Sequence, residues 1–154
     1  MKLHGNHSQN LSISESIAQL MRGLARDFTQ ALERRLAGHD ITIGMWFPLR
    51  VLWEHDGIDQ HELQKLLGQA QPTIVNAVER LEKRGLVKRR RSQNDGRRFS
   101  VHLTAKGKAL QHEVLHFASE VQSIALEEVS PEEFDQLLDI FSRIRRSLMK
   151  DRIL

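Results

Sequence analysis

A chain of 154 residues without a single cysteine is long enough to bury one core unaided, and it excludes disulfide frameworks, thiolate zinc ribbons and cysteine nucleophiles. No apolar run is long enough to span a bilayer and no secretion-type hydrophobic segment opens the chain, so a cytoplasmic protein with no membrane role is expected. The net charge of +3 hides an asymmetry: Lys65 to Lys108 holds twelve Lys and Arg against three Asp and Glu, so this window carries +9 and the remainder −6. A basic block between acidic flanks is the footprint of a surface that meets a polyanion, whereas a merely solvated face would scatter its charge.

Ile17, Leu20, Met21, Leu24, Phe28, Ala31 and Leu32 recur at the spacing of one helical face. They predict a first helix from about Ser14 to Ala37, ending near Gly38. A second helix carries Trp46, Leu49, Leu52 and Trp53 and stops around Asp56-Gly57. Because Pro48 is tolerated only near a first turn, that helix is expected to start close to Gly44 or Met45. The third helix is capped by Asp59, with Glu62 as the reciprocal half of a capping box and Ile58 with Leu63 as a hydrophobic staple. Leu63, Leu66 and Leu67 form its expected buried face. Gly68-Gln69-Ala70 is a tight turn, and Pro72 opens a fourth helix, which completes a helix-turn-helix.

Along the fourth helix Ile74, Ala77, Val78 and Leu81 share a face. Thr73, Asn76, Arg80 and Lys83 are turned the other way and are candidate base readers. Gly85 suits a left-handed helix end. Leu86–Arg91 and Arg98–Leu103 then read as hairpin strands, with Phe99, Val101 and Leu103 inward, Arg98, Ser100 and His102 outward, and Ser92 to Gly96 as the loop. A helix presenting polar side chains beside a cationic two-stranded flap matches a DNA major groove with its flanking phosphates and minor groove. Double-stranded DNA is therefore the expected partner.

After Thr104, an expected N-cap, a fifth helix carries Leu110, Val114, Phe117, Val121 and Ile124. A sixth begins at Ser130-Pro131-Glu132-Glu133, where cap, first-turn proline and capping-box glutamate are all present, and its stripe is Phe134, Leu137, Leu138, Phe141, Ile144 and Leu148. Nothing local covers both stripes, so pairing with the first helix and with a second copy of the chain is expected. The predicted fold is mainly α: a winged helix-turn-helix with a two-stranded β-wing and long terminal dimerisation helices. Residues 1–40 and 108–154 would dimerise, and residues 41–107 would bind DNA.

Trp46, Glu62-Leu63, the segment Thr73 to Val87, and Asp95 to Gly107 with its Asp-x-Arg followed by Leu-Thr-x-x-Gly resemble the MarR family of transcriptional regulators over nearly the whole chain. The last combination is the specific one; a helix-turn-helix alone is less so. The resemblance implies a homodimeric winged helix-turn-helix that binds an inverted repeat, most often as a repressor. It puts Gln71, Pro72, Thr73, Asn76 and Arg80 at or near the major groove and Arg97 in the minor groove, its guanidinium held by Asp95. Arg89, Arg90, Arg91 and Arg98 would meet phosphates. The sequence departs from the family pattern at Arg98, where a small residue is common, and at Gln71-Pro72, where a serine-rich start is frequent. The first departure adds a phosphate contact and the second keeps base preference from being transferred.

Family members commonly bind aromatic or phenolic carboxylates between the dimer helices and the DNA-binding lobe. Such an effector would find Met21, Phe28, Trp46, Arg50, Trp53 and His116 as walls or anchors, with Arg50 as the carboxylate partner. Ordinary core is the competing reading for the tryptophans and Phe28. His112-Glu113-Val114-Leu115-His116 also spells H-E-x-x-H, in which two imidazoles one turn apart hold zinc. A zinc hydrolase conflicts with a chain that has no room for a catalytic domain. A metal-responsive regulator using His112 and His116 would need a further donor such as His39, Asp40 or His55. No catalytic residue, resident metal or cofactor is expected. A nucleoid-type architectural protein is the remaining alternative and would bind DNA without sequence preference.

Overall fold

The computed structural model describes residues 16–91 and 98–151. It divides into two compact units, one reaching to Ala118 and one from Ser119 onward. The first unit begins with α1 (Ile17–Leu36) and a 3-10 turn (Ala37–His39), followed by α2 (Ile43–Glu54), α3 (Gln60–Leu67) and α4 (Gln71–Lys83). Strands β1 (Val87–Arg91) and β2 (Phe99–Leu103) form the hairpin, and α5 (Ala105–Ala125) crosses the boundary between the units. The second unit also holds α6 (Pro131–Asp151).

The core of the first unit lies where α2, α3, α4 and the hairpin root meet. Leu36, Leu49, Leu52, Leu63, Ile74, Val78, Leu81, Val87, Val101 and Val114 are all sealed from solvent there. Except for Leu36 and Val87, these are positions the helical and strand periodicities point to, so the apolar pattern alone orients α2 and α4. Strands β1 and β2 pair antiparallel in the register Val87 with Leu103, Arg89 with Val101 and Arg91 with Phe99. A third backbone segment joins the outer edge of β2. The Gly57 N–H donates to the Val101 carbonyl at 3.0 Å, the Val101 N–H to the Ile58 carbonyl at 2.9 Å, and Asp59 bridges Ser100. This edge leaves Ser100 and His102, expected to face out, half-buried beside Phe99 and Leu103.

Three local expectations are corrected. Helix α2 starts at Ile43, so Pro48 stands inside it and is buried. The carbonyl that loses its amide partner is that of Gly44, still in the first turn, which confines the disruption to the helix end. Leu66 is 60% exposed, and only Leu63 of α3 is fully buried. The Asp59 carboxylate caps α3 by accepting from the His61 N–H at 2.8 Å, one residue before the position expected for a capping box. At the far end Gly68 takes φ 60°, the left-handed exit that the turn into α4 requires. The loop from Ser92 to Gly96, and Ser14, the expected start of the first helix, lie outside the described residues.

In the second unit the anticipated capping box is present. The Ser130 N–H donates to Glu133 Oε2 at 2.9 Å, and the Glu133 N–H to Ser130 Oγ at 3.2 Å. No residue of α6 is fully buried. Phe134, Leu137, Phe141 and Ile144 are half-covered, while Leu138, Ile140, Leu148 and Met149 are exposed.

Candidate nucleic-acid interface

Helix α4 buries Ile74, Ala77, Val78 and Leu81 and thereby turns Gln71, Pro72, Thr73, Asn76 and Arg80 into solvent. A single amphipathic period thus produces a rigid row of polar side chains with a cation near its end. The helix ends at a glycine with φ 69°: the Gly85 N–H reaches the Glu82 carbonyl and the Leu86 N–H the Leu81 carbonyl, both at 2.9 Å. The chain thereby turns straight into β1, so the wing springs from the end of the exposed row.

Along β1 and at the start of β2, Lys88, Arg90, Arg91 and Arg98 are exposed, and the Arg91 guanidinium lies 5.8 Å from the centre of the Phe99 ring. Arg89 differs from the phosphate role expected of it. It is half-buried, with Nε 2.9 Å and a terminal nitrogen 2.8 Å from Glu82 Oε2. Asp95 and Arg97, the wing-tip pair, lie outside the described residues.

The wing root is fixed by a small set of polar contacts. Thr104 caps α5: its Oγ1 accepts from the Gly107 N–H at 3.0 Å and donates to the Gly85 carbonyl at 2.6 Å. Lys106 Nζ reaches the Arg84 carbonyl at 3.0 Å. The Asp56 carboxylate accepts from the Leu103 N–H at 2.7 Å and pairs with Lys108 at 3.1 Å. Burial pushes the Asp56 carboxyl up, but the Leu103 N–H and the Lys108 ammonium together outweigh it and hold the group below its ordinary range. The Leu-Thr-x-x-Gly motif is therefore the corner that joins α4, the wing and α5. Arg84, which the sequence alone does not single out, donates to the Asp40 carbonyl at 2.6 Å and the His39 carbonyl at 3.3 Å. It ties the end of α4 to the left-handed Asp40 turn (φ 54°) after α1.

Of the residues expected around an effector, Trp46, Arg50 and Trp53 come together. The two indoles meet edge to face at 5.7 Å, and the Arg50 guanidinium lies 6.0 Å from the Trp46 ring and 3.6 Å from Glu54. Trp46 is buried core, and the Trp53 N–H donates to the Gly107 carbonyl at 2.9 Å. Both tryptophans thus serve the fold. Met21 is exposed, Phe28 is half-buried, and exposed His116 lies 4.2 Å from Phe117, ring to ring. His112 is exposed as well, and Glu113 faces His39 Nδ1 at 3.4 Å. Among the described residues no three His, Asp or Glu side chains group as a metal ion would require, so His112 and His116 acquire no further ligand there.

A helix-turn-helix whose second helix is exposed along one polar face, continued by a cationic hairpin, defines a winged helix-turn-helix protein. The MarR family model matches residues 41–99. The chain is 32% identical over 100 residues to the HTH-type transcriptional regulator TtmR of Methylorubrum extorquens (strain PA1), covering 65% of this chain and 51% of that protein. The match thus spans about half the length of that curated relative. A probable transcriptional regulator from Pseudomonas aeruginosa superimposes with a TM-score of 0.78 at 29% identity, covering 86% of this chain and 99% of that one. MepR of S. aureus, solved in complex with DNA, gives 0.81 at 25% identity over 86% of this chain and 98% of that one. Residues 41–99 thus carry a MarR-type domain, and the fold around them is similar to that of solved winged-helix transcriptional regulators.

Proposed function

We propose that the protein is a transcriptional repressor that binds an inverted DNA repeat as a homodimer and is released from it by a small effector. The observation that carries this reading is the exposed row Gln71, Pro72, Thr73, Asn76 and Arg80 on α4, continuous with exposed Arg90, Arg91 and Arg98 on the wing. The row would read base edges in the major groove, the wing cations would meet phosphates, and Arg97 held by Asp95 would enter the minor groove. The likeness to MepR, solved with DNA, supports the same docking mode. Residues 41–107 form the DNA-binding part in this reading, and residues 1–40 and 108–154 the dimerisation parts. The exposed apolar residues Ile17, Leu20, Met21 and Leu24 of α1 and Leu138, Leu148 and Met149 of α6 are the surfaces a second copy would cover.

The effector in this reading is an aromatic or phenolic carboxylate, with Arg50 as its anchor. It would have to displace Glu54 from the Arg50 guanidinium, and it would act by changing the separation of the two recognition helices. The reading assigns no catalytic residue, and it places the protein in the cytoplasm. No helix among the described residues is long and apolar enough to cross a membrane.

Selection of bound duplexes from a random library, at two salt concentrations, tests the proposal. An inverted repeat is the expected product. Salt-sensitive binding without a motif would replace the regulator by an architectural DNA-binding protein, and no binding at either salt would remove DNA as the partner.

A further inference from the structure

Four consecutive basic residues, Lys88 to Arg91, follow Val87 in β1, and one of them is held differently from the rest. Arg89 offers Nε and a terminal nitrogen to Glu82 Oε2 at 2.9 and 2.8 Å, while its own backbone N–H donates to Glu82 Oε1 at 3.2 Å. Glu79, one turn earlier on α4, stands 4.0 Å from the remaining guanidinium nitrogen. Both oxygens of Glu82 are thus engaged by one residue of the wing, through side chain and backbone together. Across the sheet Arg89 pairs with Val101, which is fully buried, so its register cannot slide. A planar guanidinium gripped in this way fixes direction as well as distance.

We propose that the Glu82–Arg89 pair sets the pitch of the wing on the recognition helix, that Glu82 and Arg89 are positioning residues, and that Arg89 makes no phosphate contact. The inference rests on the DNA-binding reading above and concerns how the two reading elements are held in one frame. Two carboxylates facing one guanidinium neutralise it, whereas a phosphate ligand would be kept clear of acids. A wing released from α4 would have to be ordered again at each binding event, weakening association without removing any ion contact.

The sign of one substitution separates the alternatives. Glu82→Gln keeps an acceptor for the Arg89 N–H but removes the charge. If Arg89 were a phosphate ligand restrained by Glu82, this change would tighten DNA binding; if the pair positions the wing, it weakens it. The test measures operator affinity of the full-length protein by fluorescence anisotropy across a salt series, with the melting temperature recorded for each variant. Glu82→Gln and Arg89→Ala are each expected to weaken binding by up to about fivefold per protomer, with the salt slope unchanged. The double variant should be no weaker than either single one. Arg89→Lys, which keeps the charge and loses the fork, should fall with Arg89→Ala. Arg90→Ala should instead flatten the salt slope by about 0.9 per protomer. Tighter binding by Glu82→Gln, a flattened slope in Arg89→Ala, or a lower melting temperature at unchanged affinity would each overturn the inference. Wild-type protein that shows no salt-dependent binding would overturn the DNA reading itself, an outcome visible before any variant is made.

Discussion

Gly107 has no room for a side chain, because a Cβ there would run into the carbonyl oxygen of Leu86 and press on the Leu103 side chain. The same carbonyl accepts from the Thr104 N–H at 3.0 Å, so it cannot move aside without breaking the corner between α4 and the wing. Gly107→Ala should therefore destabilise the protein by about 1–3 kcal/mol, the usual penalty for overpacking a rigid contact, as read by chemical denaturation. An unchanged midpoint would mean that the corner is softer than its hydrogen bonds imply. Asp56 carries a different expectation. Its folded carboxyl titrates below the ordinary value of about 3.9, so its stabilising contribution is complete above that pH and is lost as pH falls through the folded value. Asp56→Asn should thus show a shallower loss of stability on acidification below about pH 4 than the wild type does. Parallel curves would show that the Leu103 and Lys108 contacts do not favour the charged form.

Single elements were legible in the sequence wherever their determinants are local. The capping box at Ser130 and Glu133 needs four residues and is present as read, and the buried face of α4 follows from one periodicity. Ser130→Ala should lower stability by about 1 kcal/mol, since it removes one of two reciprocal bonds at the start of α6. Circular dichroism during denaturation would detect it, and an unaltered curve would mean that water replaces the cap at no cost. What could not be read depends on chain segments far apart. Leu66 has the right spacing for burial, yet α3 has only eight residues and its neighbours seal only Leu63 completely, leaving Leu66 60% exposed. Arg84 finds its acceptors at Asp40 and His39, more than forty positions away, and no periodicity encodes that reach. Arg89 was legible as a cation but not as a partner of Glu82, because the turn at Gly85 brings the two together. For the site as a whole, the sequence identified which residues are exposed on α4, while the division of labour among the arginines of β1 emerged only from packing.

At the scale of the whole molecule, what calls for explanation is apolar surface. Ile17, Leu20 and Leu24 are each more than half exposed along α1, and Leu148 is 65% exposed on α6. A row of this kind on a helix surface costs solubility unless another chain covers it. Under the proposed dimer the same surface also sets function, because two recognition helices must stand roughly 34–36 Å apart to occupy successive major grooves. Joining two half-site contacts in one particle turns the second contact into an intramolecular event, so affinity for a full operator exceeds that for a half-site by far more than a statistical factor. Leu20→Glu and Leu148→Glu should each shift the protein toward a monomer in analytical ultracentrifugation and abolish any rise of melting temperature with concentration. Their affinity for the full operator should fall toward that for one half-site, while half-site affinity, which depends on α4 and the wing, should stay close to wild type. Full-operator and half-site affinities falling together would place these leucines in the fold of the protomer. An unchanged sedimentation profile in both variants would mean that something other than a second copy covers the stripe.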